Sequence, residues 1–191
     1  MIQITKDEAS KVEAPQSFID DRIEENESVL EIIKNQFVIF LFTRYEFIMQ
    51  DTIKCLLCDK PQRILTVIDK HHDYVNFIDF SLAGFINCES KEEYIIRISE
   101  KLSKKMLSGK PSKAIKRLKE LLNFENINTT ILDELMDKRN CIAHENHIYT
   151  IELEELEAYY NAIENLLKVL SLGLKNINIS IIDQGGLLDI I

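Results

Sequence analysis

Tryptophan is missing from the 191 residues, and glycine and proline are scarce at five and three. That scarcity excludes most turn-rich β architectures, which place such residues at each tight reversal. Long apolar runs are missing too. The longest, Phe37 to Phe42, has six residues before Thr43 and Arg44, far short of the ~20 that span a bilayer. Met1 to Glu8 contains no basic stretch leading into an apolar one, the mark of a secretory leader. The only cysteines are Cys55, Cys58, Cys88 and Cys141, so reduced thiols and a cytoplasmic location are expected. Basic charge is short overall. With 23 Lys and Arg against 32 Asp and Glu, the net charge of −9 argues against a general nucleic-acid coat.

The residues that are present suit a soluble domain. Hydrophobic residues at 46% and charged residues at 29% fit one globular core, and helix is the fold class to expect. The organisation reads as a loose arm over 1–16, an all-α helical bundle over 17–176 and an irregular or extended tail over 177–191.

Ser17 can cap a helix beginning near Phe18. From Phe37 to Cys58 apolar residues recur at helical steps so densely that this helix should be central and covered on most sides. Pro61 can open a further helix over 61–72, while 73–89 is ambiguous. Ser90 and Glu93 form a capping box ahead of a helix from Tyr94 to Leu107, which Gly109 and Pro111 end. Ser112 can cap a helix through Leu122 and Phe124, and Thr129 or Thr130 one carrying Ile131 to Met136. Thr150 opens a long amphipathic helix ending near Gly173. Ile177, Ile179 and Ile181 then alternate like a short strand.

Three features invite a functional reading. Cys55 and Cys58 have the spacing of a zinc or redox pair, but with no second pair nearby they read as two small core residues. His71, His72 and Asp73 could ligate a metal, yet at a helix end they read as solvated. No metal or other cofactor is therefore expected. The basic segment carries more weight. From Arg97 to Lys119 nine Lys and Arg stand against the single Glu100, so Lys101, Lys104, Lys105, Lys113, Lys116 and Arg117 are candidates for attracting RNA.

The chain is organised around Glu134 to His144. Arg139 and His144 unite a fixed cation with an imidazole that exchanges a proton near neutral pH. A guanidinium can hold two phosphate oxygens while an imidazole moves a proton at the attacking or leaving oxygen. Spacing alone also fits an arginine paired with Asp137 or Glu134 and a histidine capping a helix end. On one continuous helix, five residues turn through about 140°. Convergence on one phosphate therefore requires the helix to bend or end near Ala143, or a second subunit to supply one group.

Arg139-Asn140-Cys141-Ile142-Ala143-His144 resembles the Arg-x4-6-His signature of the HEPN superfamily, small α-helical domains found in many prokaryotic ribonucleases and toxins. Asn140 directly after the arginine, Glu134-x3-Lys138-Arg139 before it and the capped helix after the histidine add to the likeness. Arg44-Tyr45-Glu46-Phe47 resembles an aromatic-acid element on the early long helix of such proteins. There are departures. Glu145 stands where many members have glycine, and Asn146 where one toxin branch has a tyrosine, so control by tyrosine modification is not implied.

The resemblance implies a metal-independent endoribonuclease acting as a homodimer, in a toxin–antitoxin or antiphage setting with an antitoxin or defence partner. Arg139 would hold the scissile phosphate and His144 would move protons. Asn140, Glu134, Lys138 and Glu46 would support them, with His147 in reserve. A HEPN-like module that binds RNA or protein without cutting is the alternative. A structural partner subunit docking through its tail is a third reading.

Overall fold

The computed structural model describes residues 16–71, 74, 82–145 and 147–179. Seven helices run through them: α1 (Gln16–Asp59), α2 (Gln62–Lys70), α3 (Leu82–Ile86), α4 (Lys91–Met106), α5 (Pro111–Leu122), α6 (Thr130–Glu145) and α7 (Leu153–Asn176). Among the described residues there is no strand. The architecture is the all-α bundle that composition implies.

The long helix α1 forms the spine. Its helical stretch is unbroken for 44 residues, and α4, α6 and α7 lie against it. Val38, Leu41, Phe42, Tyr45, Ile48, Met49, Ile53, Leu56 and Leu57 are buried along one side. The expectation of cover on most sides fails, however. Leu30, Ile33, Phe37, Phe40 and Phe47, on the other side, are exposed. Its apolar density reflects two apolar faces, only one of which is buried among the described residues. Cys55 is exposed and Cys58 half-buried, so neither is a core residue: the core turn is taken by Ile53, Leu56 and Leu57.

The breaks follow local chemistry with several shifts. Pro61 lies just outside α2 with φ −59°, its fixed ring angle serving the approach to the helix. The helix ends at Lys70, where the His71 N–H returns to the Val67 and Ile68 carbonyls. His71 is half-buried and stacks on Tyr74 with centroids 5.0 Å apart. Its neighbours His72 and Asp73 lie outside the described residues, as does most of the ambiguous stretch before α3. The serine half of the capping box holds, with Ser90 Oγ accepting the Glu93 N–H at 3.0 Å, while the Glu93 carboxylate accepts the Glu89 N–H, one residue earlier, at 2.6 Å.

Pro111 begins α5 and does not merely end α4. It occupies the first turn with Lys110 in the cap position, where its missing N–H costs nothing. Ser112 is consequently inside the helix, and its N–H is accepted from across the bundle by Asp133 Oδ1 at 2.9 Å. Thr150 precedes an extended approach to α7, whose cap position belongs to Glu152. Gly173 is interior to α7, where the helix passes Leu122 and Phe124.

The expected strand at the tail is a helix cap. Asn178 adopts φ 59°; its N–H bonds the Lys175 carbonyl at 3.0 Å, and the Ile179 N–H bonds the Leu174 carbonyl at 3.1 Å. This left-handed closure turns Ile179 back into the core. Residues 180–191, like the arm over 1–15, lie outside the described residues. Among the described residues no helix is long and apolar enough to cross a membrane.

Candidate active site

The motif lies on α6, an element fixed at both ends. Asn128 Oδ1 accepts the Thr130 N–H at 3.1 Å, and the Thr129 carbonyl accepts the Asp133 N–H at 3.0 Å, which starts the helix. Leu132, Leu135 and Ile142 bury one face. The helix runs on without ending at Ala143, through to Glu145. His144 comes two residues after buried Ile142, about 200° further round, and is exposed. Arg139 lies nearer the core and is half-buried. One chain therefore presents the two groups on different faces of α6.

Arg139 is held without a counter-ion. Its guanidinium carbon sits 5.5 Å from the centre of the Phe42 ring, and Nη1 donates to Asn140 Oδ1 at 3.0 Å. Its Nε is buried with no hydrogen-bond partner. Asp137, two residues earlier, lies on another face of α6, where its Oδ2 accepts from Lys110 Nζ at 2.8 Å. Among the described residues no carboxylate forms an ion pair with Arg139. A cation partly withdrawn from water and lacking an anion is a ready phosphate receptor.

Lys138 faces the other way. Its ammonium pairs with Glu155 Oε1 and lies 5.1 Å from the Tyr149 ring centre and 5.9 Å from that of Tyr159. Tyr159 Oη donates to the same Glu155 oxygen at 2.5 Å. Burial works to raise the Glu155 pKa, but the bonds from Lys138 and Tyr159 outweigh it and hold the carboxyl below its ordinary range. Burial and the Glu155 bond push the Tyr159 phenol up. This cluster locks α6 to α7, so Lys138 serves the scaffold and is not free to approach a substrate.

The segment after the motif is fastened to α1. Asn35, only 2% exposed, donates from Nδ2 to the Tyr149 carbonyl at 2.8 Å and accepts the Tyr149 N–H at Oδ1 at 3.0 Å. Glu31 Oε2 accepts the Ile151 N–H at 3.1 Å, while its Oε1 accepts from Lys34 at 2.7 Å. The Lys34 bond, then the Ile151 amide, keeps the Glu31 carboxyl below its ordinary range. Sequence reasoning missed Asn35 and Glu31. The available signal was an amide standing on the core side of the most apolar helix, three residues before Val38.

The remaining candidates disperse. Glu134 and Glu46 are exposed; each touches the site only through its field, Glu134 on the Tyr159 phenol and Glu46 on that of Tyr45, which burial pushes up first. His147 is exposed, edge-on to Tyr149 at 4.3 Å, and Asn146 lies outside the described residues. In the basic segment Lys104, Lys113 and Lys116 are exposed and Lys101 is half-buried. Lys105 lies 5.8 Å from the Tyr74 ring centre. Arg117 is occupied: Nη1 donates to the Met106 and Ser108 carbonyls at 2.8 and 2.7 Å, closing the end of α4. Lys110, which the sequence reading passed over, is exposed and fixed to Asp137. That carboxylate is seven residues before His144, hence on the same solvent-facing side and about 10 Å along the helix. No group of three or more His, Cys, Asp or Glu among the described residues is placed to hold a metal.

The sequence matches the family model described as RiboL-PSP-HEPN over residues 5–176. No curated protein and no solved structure gives a significant match.

Proposed function

The chain belongs to the RiboL-PSP-HEPN family, and from that premise we propose that it is an endoribonuclease using Arg139 and His144 at a site completed by a second copy. The observation that carries this reading is the state of Arg139: half-buried against Phe42, with no anion of its own. Its guanidinium would bind the scissile phosphate and stabilise the charge that builds there. His144, open to solvent, would take the proton from the 2′-hydroxyl as that oxygen attacks phosphorus. The bond from phosphorus to the 5′-oxygen then breaks, and a proton is delivered to that oxygen, leaving a cyclic phosphate. Nothing in this sequence of steps calls for a metal. Asn140 would orient Arg139. Lys110 and the exposed lysines of α4 and α5 would draw the RNA backbone towards α6. A toxin–antitoxin or antiphage role, with an antitoxin or defence partner, is the setting that the family likeness suggests.

The decisive assay is cleavage of structured and single-stranded RNA in EDTA by the wild type, Arg139→Ala and His144→Ala. Removal of a proton-transfer group costs about 10²–10⁴-fold and of a donor to the developing charge about 10²–10³-fold, so both variants should fall by about 10²-fold or more. Cleavage persisting in both rejects the assignment. A second reading rests on the separation of the two side chains around α6. If no second copy completes the site, the chain is a HEPN-like module that holds RNA or protein without cutting. Salt-dependent RNA binding without a cyclic-phosphate product would identify that case.

A further inference from the structure

Helix α1 carries a second apolar seam that stays exposed among the described residues. Ile23, Asn26, Leu30, Ile33, Phe37, Phe40, Arg44 and Phe47 recur at alternating steps of three and four, the a and d positions of a heptad. Leu30, Ile33, Phe37, Phe40 and Phe47 are between 39% and 58% exposed. From Asp20 to Lys34 no residue of α1 is buried, and before Glu31, which bonds the Ile151 N–H, about three turns of helix stand without a buried face. Isolated helices of that length are marginal in water. None of the exposed residues from Val29 to Thr43 is charged, in a chain of net charge −9.

We propose that a second copy of this chain covers the seam, the two α1 helices running antiparallel about a two-fold axis at Asn35. The occupant follows from two needs within one helix. The uncovered half before Lys34 requires an apolar surface, and the seam from Ile33 to Phe47 offers one. A two-fold axis satisfies both at once, since each half lies on the other half of the partner.

The direction follows from charge. Parallel pairing would set Arg44 against Arg44 within the seam. Antiparallel pairing separates the two Arg44 residues and sets each against Asn26 of the other copy. The register follows from the side chains. Centred on Asn35, Ile33 meets Phe37 of the other copy, Leu30 meets Phe40, Ile23 meets Phe47 and Asn26 meets Arg44. Each apolar layer then joins an aliphatic to an aromatic residue, and the one polar layer is polar on both sides. Shifting the centre by half a heptad sets Asn26 against Phe37 or Ile33 against Arg44, which buries an unpaired polar group. Phe37 and Phe40 already stack, with centroids 5.8 Å apart, so the central layers are partly ordered beforehand. Five large apolar side chains between 39% and 58% exposed, with the half-buried Ile23, offer up to roughly 600 Å² per copy. The pair therefore reaches about 1,200 Å², where stable specific interfaces begin.

Asn35, Phe42 and Tyr45, which face α6 and its following loop, lie on the opposite side of α1 from the seam. This pairing therefore neither forms nor blocks the Arg139 and His144 site. A site shared between two motif helices would use a separate contact over α6.

The test reads mass and cross-links, not RNA cleavage, so its failure is distinct from failure of the nuclease reading. Light scattering on the full chain should show an assembly whose mass halves in Ile33→Glu plus Phe40→Glu. Both side chains are exposed, so the core is untouched and the variant should still unfold cooperatively, with a lower Tm and a smaller helical signal because the partner no longer supports α1 before Lys34. A wild-type monomer at tens of micromolar, or an unchanged assembly in the double variant, overturns the proposal. Direction is read in a background with all four cysteines changed to serine. Ile23→Cys plus Phe47→Cys should give disulfide-linked dimers on mild oxidation, and Ile23→Cys alone should not. Efficient linking of the Ile23→Cys single variant to itself would mean parallel helices and would also overturn the proposal.

Discussion

At the scale of single residues, the site depends on which polar groups are matched and which are left over. Arg139 is left over because no carboxylate among the described residues pairs with it and Asn140 offers only a neutral oxygen. Asn35 is the reverse case, an amide in the core with every bond used. Its two bonds to Tyr149 copy the pairing of a strand and hold the segment after His144 against α1. Replacing it by alanine leaves the Tyr149 N–H and carbonyl without partners, and each buried orphan costs about 1–3 kcal/mol. Asn35→Ala should therefore lose about 2–4 kcal/mol in denaturant unfolding. Gln36→Ala, one residue on and exposed, should stay within about 0.5 kcal/mol. Equal losses in the two variants would show that Asn35 is not a clamp. The sequence could mark Asn35 as an amide on a core face but not show what it holds, since Tyr149 is 114 residues away, and the isolation of Arg139 depends on which carboxylates the fold brings near it.

At the scale of elements, the signals that proved legible were those closed within a few residues. The Ser90 capping box and the break at Pro61 are local chemistry, and the bundle shows them nearly where the sequence does. Signals that depend on a neighbour were misplaced. Ser112 looked like a cap, but the cap comes from Asp133 on another helix. Ile177 and Ile179 alternate like a strand, yet a left-handed Asn178 converts the same spacing into a helix closure. Gly173 looked like a terminator and is interior. A β-carbon there would lie 3.5 Å from Leu122 Cβ, an ordinary contact. Gly173→Ala should then gain about 0.5–1 kcal/mol from reduced backbone freedom and raise Tm by a few degrees. A fall in Tm would mean that α7 and the end of α5 approach more closely than this geometry allows.

For the whole molecule, the central question is how one helix can present an arginine and a histidine about 140° apart and still act on one phosphate. The family likeness supplied the roles before any fold was known, and the helical repeat supplied the obstacle. Because α6 continues through His144, bending is no answer within one chain. Two copies over α6 would place Arg139 of one beside His144 of the other. That arrangement predicts complementation between inactive chains. Arg139→Ala retains a good histidine and His144→Ala a good arginine, so a mixed dimer has one complete site and one lacking both groups. Differently tagged variants, co-expressed and purified through both tags in turn, should recover up to about half the wild-type cleavage rate, against the 10²–10⁴-fold loss expected of each variant alone. If each site were built within one chain, mixing would restore nothing. Activity as low in the doubly purified mixture as in either parent would exclude the shared site while leaving the roles of the two residues to the single-variant assays.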